Sequence, residues 1–126
     1  MTVTLKAGDS FRFADGRDGG HLWFVISSGQ LDPVVVVSVT TWRTDKDQNC
    51  VLEVGDHPFV KHKSCIAFDL AKCVSQEKLR LWMERGEIQV HDIASRELVF
   101  RLLDGVAASR RIPIKCRAVL EEQGLI

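Results

Sequence analysis

The sequence predicts an α+β fold that is mainly β: a small antiparallel barrel or sandwich of short strands with added helices. Three observations carry that expectation. Two strongly β-branched runs, HLWFVIS (21–27) and PVVVVSVTT (33–41), bracket a short SGQLD loop. Further short strand-like segments follow closely up to Phe68 instead of alternating with long helical patterns, which disfavours a βαβ sheet. After Leu70 the apolar period changes from two residues to the helical spacing.

The elements follow in order. Asp9–Ala14 alternates apolar and polar residues and reads as a first strand with Phe11 and Phe13 inward. Asp15–Gly20 holds three glycines in six residues and forms a connection directly before His21. Strands are expected at about 21–27, 33–41, 50–54 and 64–69, with Trp42–Asn49 as the longest loop between them. Leu79, Trp82 and Met83 fall at helical spacing, with Ser75 placed to cap the N-terminus and Gly86 to end a helix over 76–85. GEIQVHD (86–92) is a candidate strand. Leu98, Val99, Leu102, Leu103 and Val106 form one apolar stripe on a helix from Ser95 to Ala108. Arg110–Lys115 interrupts it, and Cys116–Gln123 suits a final turn or two of helix.

A chain of 126 residues, 45% of them hydrophobic, can bury a core without metal or disulfide staples, and one domain over 1–126 is expected. No repeat or linker divides it. Seventeen Lys and Arg balance seventeen Asp and Glu, so no global field draws the chain to nucleic acid or anionic lipid, and a polyanion must be held by a local patch. The opening MTVTLKAGD lacks the apolar core of a signal peptide, and no run approaches the roughly 20 residues that span a bilayer. A cytoplasmic protein without membrane contact is the expectation.

Cys50, Cys65, Cys73 and Cys116 include no CxxC pair, and the first three, in apolar strand-like settings, read as small core residues of a reducing compartment. A metal set drawn from His57, His62, Cys65 and Cys73 would have four, two and seven intervening residues, unlike the paired spacing of structural zinc. No metal and no cofactor are expected.

The residues that carry chemistry gather at strand ends: His21, Thr40, Thr41, His57, Lys61, His62 and Ser64. Around them the chain resembles the PemK/MazF superfamily of bacterial toxins over about residues 5–109, leaving 110–126 as a basic C-terminal extension. Lys6-Ala-Gly-Asp9 is similar to the family's opening basic-x-Gly-Asp, and His21–Ser27 lies where the family has Arg-Pro followed by an apolar strand. Val34–Thr41 resembles the next strand, which in the family ends in a functional Thr or Ser, here Thr40. Lys63–Phe68 and Ala71–Ser75 resemble the family's Asp-Ser-apolar strand and the segment leading into its helices. The resemblance implies an SH3-like barrel, metal-independent cleavage of single-stranded RNA, a homodimer and a cognate antitoxin protein that covers the RNA groove.

The chain departs from the pattern where the family's active-site Arg-Pro is His21-Leu22, and in the GDHPFVKHKS segment (55–64), which is not part of the usual family pattern. Arginine steadies phosphate with a fixed charge, whereas histidine exchanges a proton near neutral pH. Cleavage through the ribose 2′-hydroxyl needs a base, an acid for the 5′-oxygen and donors for the charge on phosphorus. His21, Thr40 and His62 are the candidate catalytic residues, with His57 as the other possible partner of His21. Thr41, Trp42, Arg43, Lys61, Lys63 and Ser64 are the candidate substrate-binding residues, Trp42 by stacking on an unpaired base. The competing reading of each is structural: Asp56-His57-Pro58 is turn chemistry, Lys61–Lys63 a solvated loop, Trp23 and Trp82 core. Arg110, Arg111, Lys115 and Arg117 are either solvated surface or an extension of the RNA or antitoxin contact. The alternative to a nuclease is a catalytically inactive module of the same fold that binds RNA or protein.

Overall fold

The computed structural model describes residues 5–126. The first four residues of MTVTLKAGD, on which the signal-peptide expectation partly rests, lie outside the described residues. Alternating and β-branched segments become β1 (Ser10–Phe13), β2 (Trp23–Val25), β3 (Val34–Thr41), β4 (Val51–Leu52) and β5 (Ser64–Val74). Then come α1 (Gln76–Glu84), β6 (Ile88–His91), α2 (Arg96–Ala108) and α3 (Ile114–Glu122). The strands form one antiparallel sheet in the order β4-β5-β3-β2-β1-β6. No helix among the described residues is long and apolar enough to cross a membrane.

The α+β class, the antiparallel sheet and the late helices agree with the sequence. The closed barrel does not follow, because β4 and β6 share no ladder and the sheet is open. Its two margins nevertheless meet through side chains. His57, after β4, donates its Nε2–H to the Asp92 carbonyl at 2.6 Å, and the Phe59 ring lies 5.2 Å from that of His91.

Both faces of the sheet's centre are covered. Leu22, Phe24, Ile26, Val35 and Val37 pack with Leu98, Leu102 and Val106 of α2 and Leu120 of α3. Trp23, Val25, Val34 and Val36 pack on the other face with Phe11, Ile88 and Leu79 of α1. Period-two alternation thus sends successive β3 valines into different cores, each fully buried apolar side chain contributing about 1.5–3 kcal/mol. Phe11 is buried as expected, whereas Phe13 is only half-buried, edge-on to Trp82 at 5.1 Å.

The helix signals hold at atomic level. Ser75 Oγ accepts from the Lys78 amide and Ser95 Oγ from that of Leu98, satisfying first-turn donors. Gly105 of α2 lies against Phe68 so closely that a Cβ would sit 2.7 Å from the ring, which lets the helix settle on β5. The sequence-predicted end of β5 at residue 69 is too early. Val36 pairs with Lys72 and Ser38 with Ala67, so two steps along β3 face five along β5. The extra residues form a bulge carrying exposed Asp69 and Leu70, whose polarity and exposure mimic a strand end.

Candidate active site

The end of β3 and the strand-like segments beside it frame a cleft of about 230 Å³. His21 and Thr40 line it together with Thr41, Lys61, His62 and Ser64, and Phe59 and Leu22 form part of its apolar wall. Continuing the β2–β3 register, in which Trp23 opposes Ser38, sets His21 across from Thr40. Thr41 in turn pairs with Ser64 across β3 and β5. Strand register thus brings His21, Thr40, Thr41 and Ser64 together, while Lys61 and His62 come from the loop before β5.

Hydrogen bonds orient each group. His21 Nδ1–H donates to the Val39 carbonyl at 2.8 Å, and Nε2 has no protein partner among the described residues. His62 Nε2 lies 3.0 Å from Thr41 Oγ1, and both side chains are exposed. The Ser64 hydroxyl is buried and donates to the His62 carbonyl at 2.9 Å, so it fixes the turn that presents His62. Lys61 is exposed and has no carboxylate partner among the described residues.

His57 is not part of this cleft. It is 3% exposed, its Nδ1 accepts from the Phe59 amide at 3.0 Å and its Nε2–H is spent on Asp92, so both ring nitrogens serve structure. The turn reading of Asp56-His57-Pro58 holds, with Asp56 Oδ2 accepting from the Glu53 amide. Asp56 is also paired with Arg101 at 2.9 Å, and that bond holds its carboxyl below the usual carboxylate range.

Trp42, Arg43 and Lys63 stand beside the cleft and do not line it. The Lys63 ammonium covers one face of Trp42 at 4.2 Å, while the indole N–H donates to Gln48 at 2.5 Å. Arg43 pairs with Asp45 at 3.4 Å. In the C-terminal basic group, Arg117 donates to the carbonyls of Val106, Ala107 and Ser109, capping α2, and Arg111 donates to that of Asp45. Those two arginines hold the last helix in place.

One cation escaped the sequence reading. Arg12, on β1, donates Nε–H to the Gly20 carbonyl at 2.9 Å and lies 4.6 Å over the Phe59 ring, both residues of the cleft wall. Gly20 has φ +78°, and a Cβ there would approach the guanidinium to 2.8 Å. The signal was the glycine pair before His21, which marked a close backbone approach without naming what approaches. No carboxylate lines the cleft, and among the described residues no three His, Cys, Asp or Glu side chains gather as a metal site.

No protein-family model matches the chain, and no curated protein matches it.

Proposed function

We propose that the chain is a metal-independent endoribonuclease for single-stranded RNA, the toxin of a toxin–antitoxin pair related to the PemK/MazF proteins it resembles. The observation that carries this reading is the cleft itself: two imidazoles, an ammonium and three hydroxyls face a space free of carboxylates. Such a lining favours a phosphodiester and supplies proton-transfer groups of both kinds. On this reading the open, side-chain-latched sheet is a variant of the family's SH3-like barrel, and a homodimer and an antitoxin protein complete the system.

The roles follow from the hydrogen bonds. His21, whose Nε2 has no protein partner among the described residues, takes the proton from the ribose 2′-hydroxyl as that oxygen attacks phosphorus. His62, as imidazolium, returns a proton to the departing 5′-oxygen, and Thr41 orients its ring. Lys61 and Arg12 offset the charge that grows on the non-bridging oxygens, and Thr40 donates to the same oxygens. The products are a 2′,3′-cyclic phosphate and a 5′-hydroxyl, with no net proton change.

The test is incubation of the purified chain, free of copurifying partner, with mixed-sequence single-stranded RNA in excess chelator, followed by analysis of the product ends. Cyclic phosphate termini are expected. Intact RNA that is nevertheless bound would assign the fold to an inactive RNA-binding module, and neither cleavage nor binding at low salt would leave a protein-binding role.

A further inference from the structure

A second, larger cleft of about 630 Å³ is walled by β5, α1, the start of α3 and the connection after β1. Two thiols open onto it. Cys73 Sγ on β5 and Cys116 Sγ on α3 are 3.4 Å apart, though 43 residues separate them in sequence. Around them stand Lys72, Lys78, Lys115 and Arg17 against the single carboxylate of Asp18. That carboxylate is already engaged by the Trp23 indole and the Gly20 amide. Arg17 is shared with Asp15 and Glu87, while the three lysines enter no ion pair among the described residues. The Lys72 and Lys78 ammonium groups lie 5.4 and 5.3 Å over Trp23 and Trp82.

We propose that Cys73 and Cys116 form a thiol–disulfide exchange site for an anionic low-molecular-weight disulfide, which the lysines of the cleft attract. The Cys73 thiolate attacks one sulfur of the incoming disulfide, and the first half leaves as a thiolate that takes up the Cys73 proton. Cys116 then attacks the Cys73 sulfur, expels the second half as a thiol and closes a 73–116 disulfide. Two protein thiols are oxidised and one small disulfide is reduced to two thiols. Closing the bond brings the sulfurs to about 2.05 Å, a short movement of a helix end toward a strand.

The order of the two steps follows from position. Cys73 is half-buried, whereas Cys116 is 3% exposed, and burial followed by the Cys73 hydrogen bond and charge pushes the Cys116 thiol up to about 12. Once Cys73 is held in a mixed disulfide, the two contributions from Cys73 disappear, leaving burial, which still raises the Cys116 thiol, against Lys115, which lowers it. Cys50 and Cys65 are both buried; burial raises both thiols, that of Cys50 to about 11, and neither lines this cleft.

The experiment treats the full chain with oxidised glutathione and maps its peptides without reduction. The expected product joins the Cys73 and Cys116 peptides with a mass loss of about 2 Da, with Cys50 and Cys65 still open to alkylation after denaturation. Cys116→Ser should instead accumulate glutathione on Cys73. At low salt the anionic probe should oxidise the pair at least about threefold faster than the cationic disulfide cystamine, an advantage that salt removes. Linkage through Cys50 or Cys65, or a Cys116→Ser chain that takes no adduct, would overturn the exchange site. Equal rates for the two probes would overturn its anionic preference.

Discussion

His57 and Asp92 join the two margins of the sheet: an imidazole N–H from the segment after β4 meets a carbonyl just beyond β6 at 2.6 Å, where no backbone ladder exists. Ser10 Oγ donates to the same carbonyl at 2.6 Å, so one acceptor gathers β1, β6 and the β4 loop. His57→Ala should therefore lower stability by about 2 kcal/mol, since it strands the Phe59 amide and leaves a buried void. Chemical denaturation of the variant with an unchanged midpoint would show that the margins are held by something else.

Gly105→Ala should destabilise by about 1–3 kcal/mol despite alanine's better helix propensity, because the added methyl meets the buried Phe68 ring at 2.7 Å. Phe68→Leu in the same chain should make the alanine less harmful than the sum of the single changes, a coupling that a double-mutant cycle in urea reads directly.

The Arg101–Asp56 pair predicts a pH dependence. The Arg101 hydrogen bond depresses the Asp56 carboxyl, so its contribution is fully present above the ordinary carboxylate pKa and is lost as pH falls through the depressed folded value. Both side chains keep some exposure, which limits the pair to about 1 kcal/mol. Asp56→Asn should lower the melting temperature at pH 7 and converge on the parent under strongly acidic conditions. A difference that persists undiminished in acid would point to the turn rather than the charge.

In the proposed cleft, His21→Ala should reduce RNA cleavage by ~10²–10⁴-fold with little loss of RNA affinity, because proton transfer matters in the transition state. His21→Arg, which restores the residue of the resembled family, should hold phosphate yet turn over poorly if His21 is the base. Activity equal to the parent in His21→Ala would remove His21 from the chemistry.

Lys61→Ala should weaken RNA binding across sequences and reduce the slope of log affinity against log salt by about one. Arg12→Ala should do the same if its guanidinium contacts phosphate. An unchanged salt slope in both variants would place the RNA elsewhere.

The strands and helices were legible because their signals are local: alternation in Ser10–Phe13, serine caps at 75 and 95, and a 98–102–106 stripe. The bulge in β5 was not, since Asp69-Leu70 exposes polarity in mid-strand and only the paired strand reveals that the chain continues. The closure of the sheet was equally hidden, for it depends on side-chain bonds between His57 and Asp92 that no periodicity encodes. Within the site, His21, Thr40 and Ser64 came together because register can be counted along β-branched runs. Arg12 was missed because an arginine on an alternating strand looks like any solvent-facing residue until Phe59 and Gly20 are folded against it.

The run Val34–Val37 has a consequence beyond packing. Four consecutive β-branched residues without charge, followed by Ser38 and Val39, make the kind of segment that stacks between chains into cross-β aggregates. The fold places it in the interior of the sheet, hydrogen-bonded to β2 on one side and β5 on the other. It gives the exposed margins to the two-residue β4 and to β6, which carries exposed Gln89. The topology thus keeps this segment away from the sheet's edges, and any change that detaches β2 or β5 from β3 exposes its backbone to pairing with another chain.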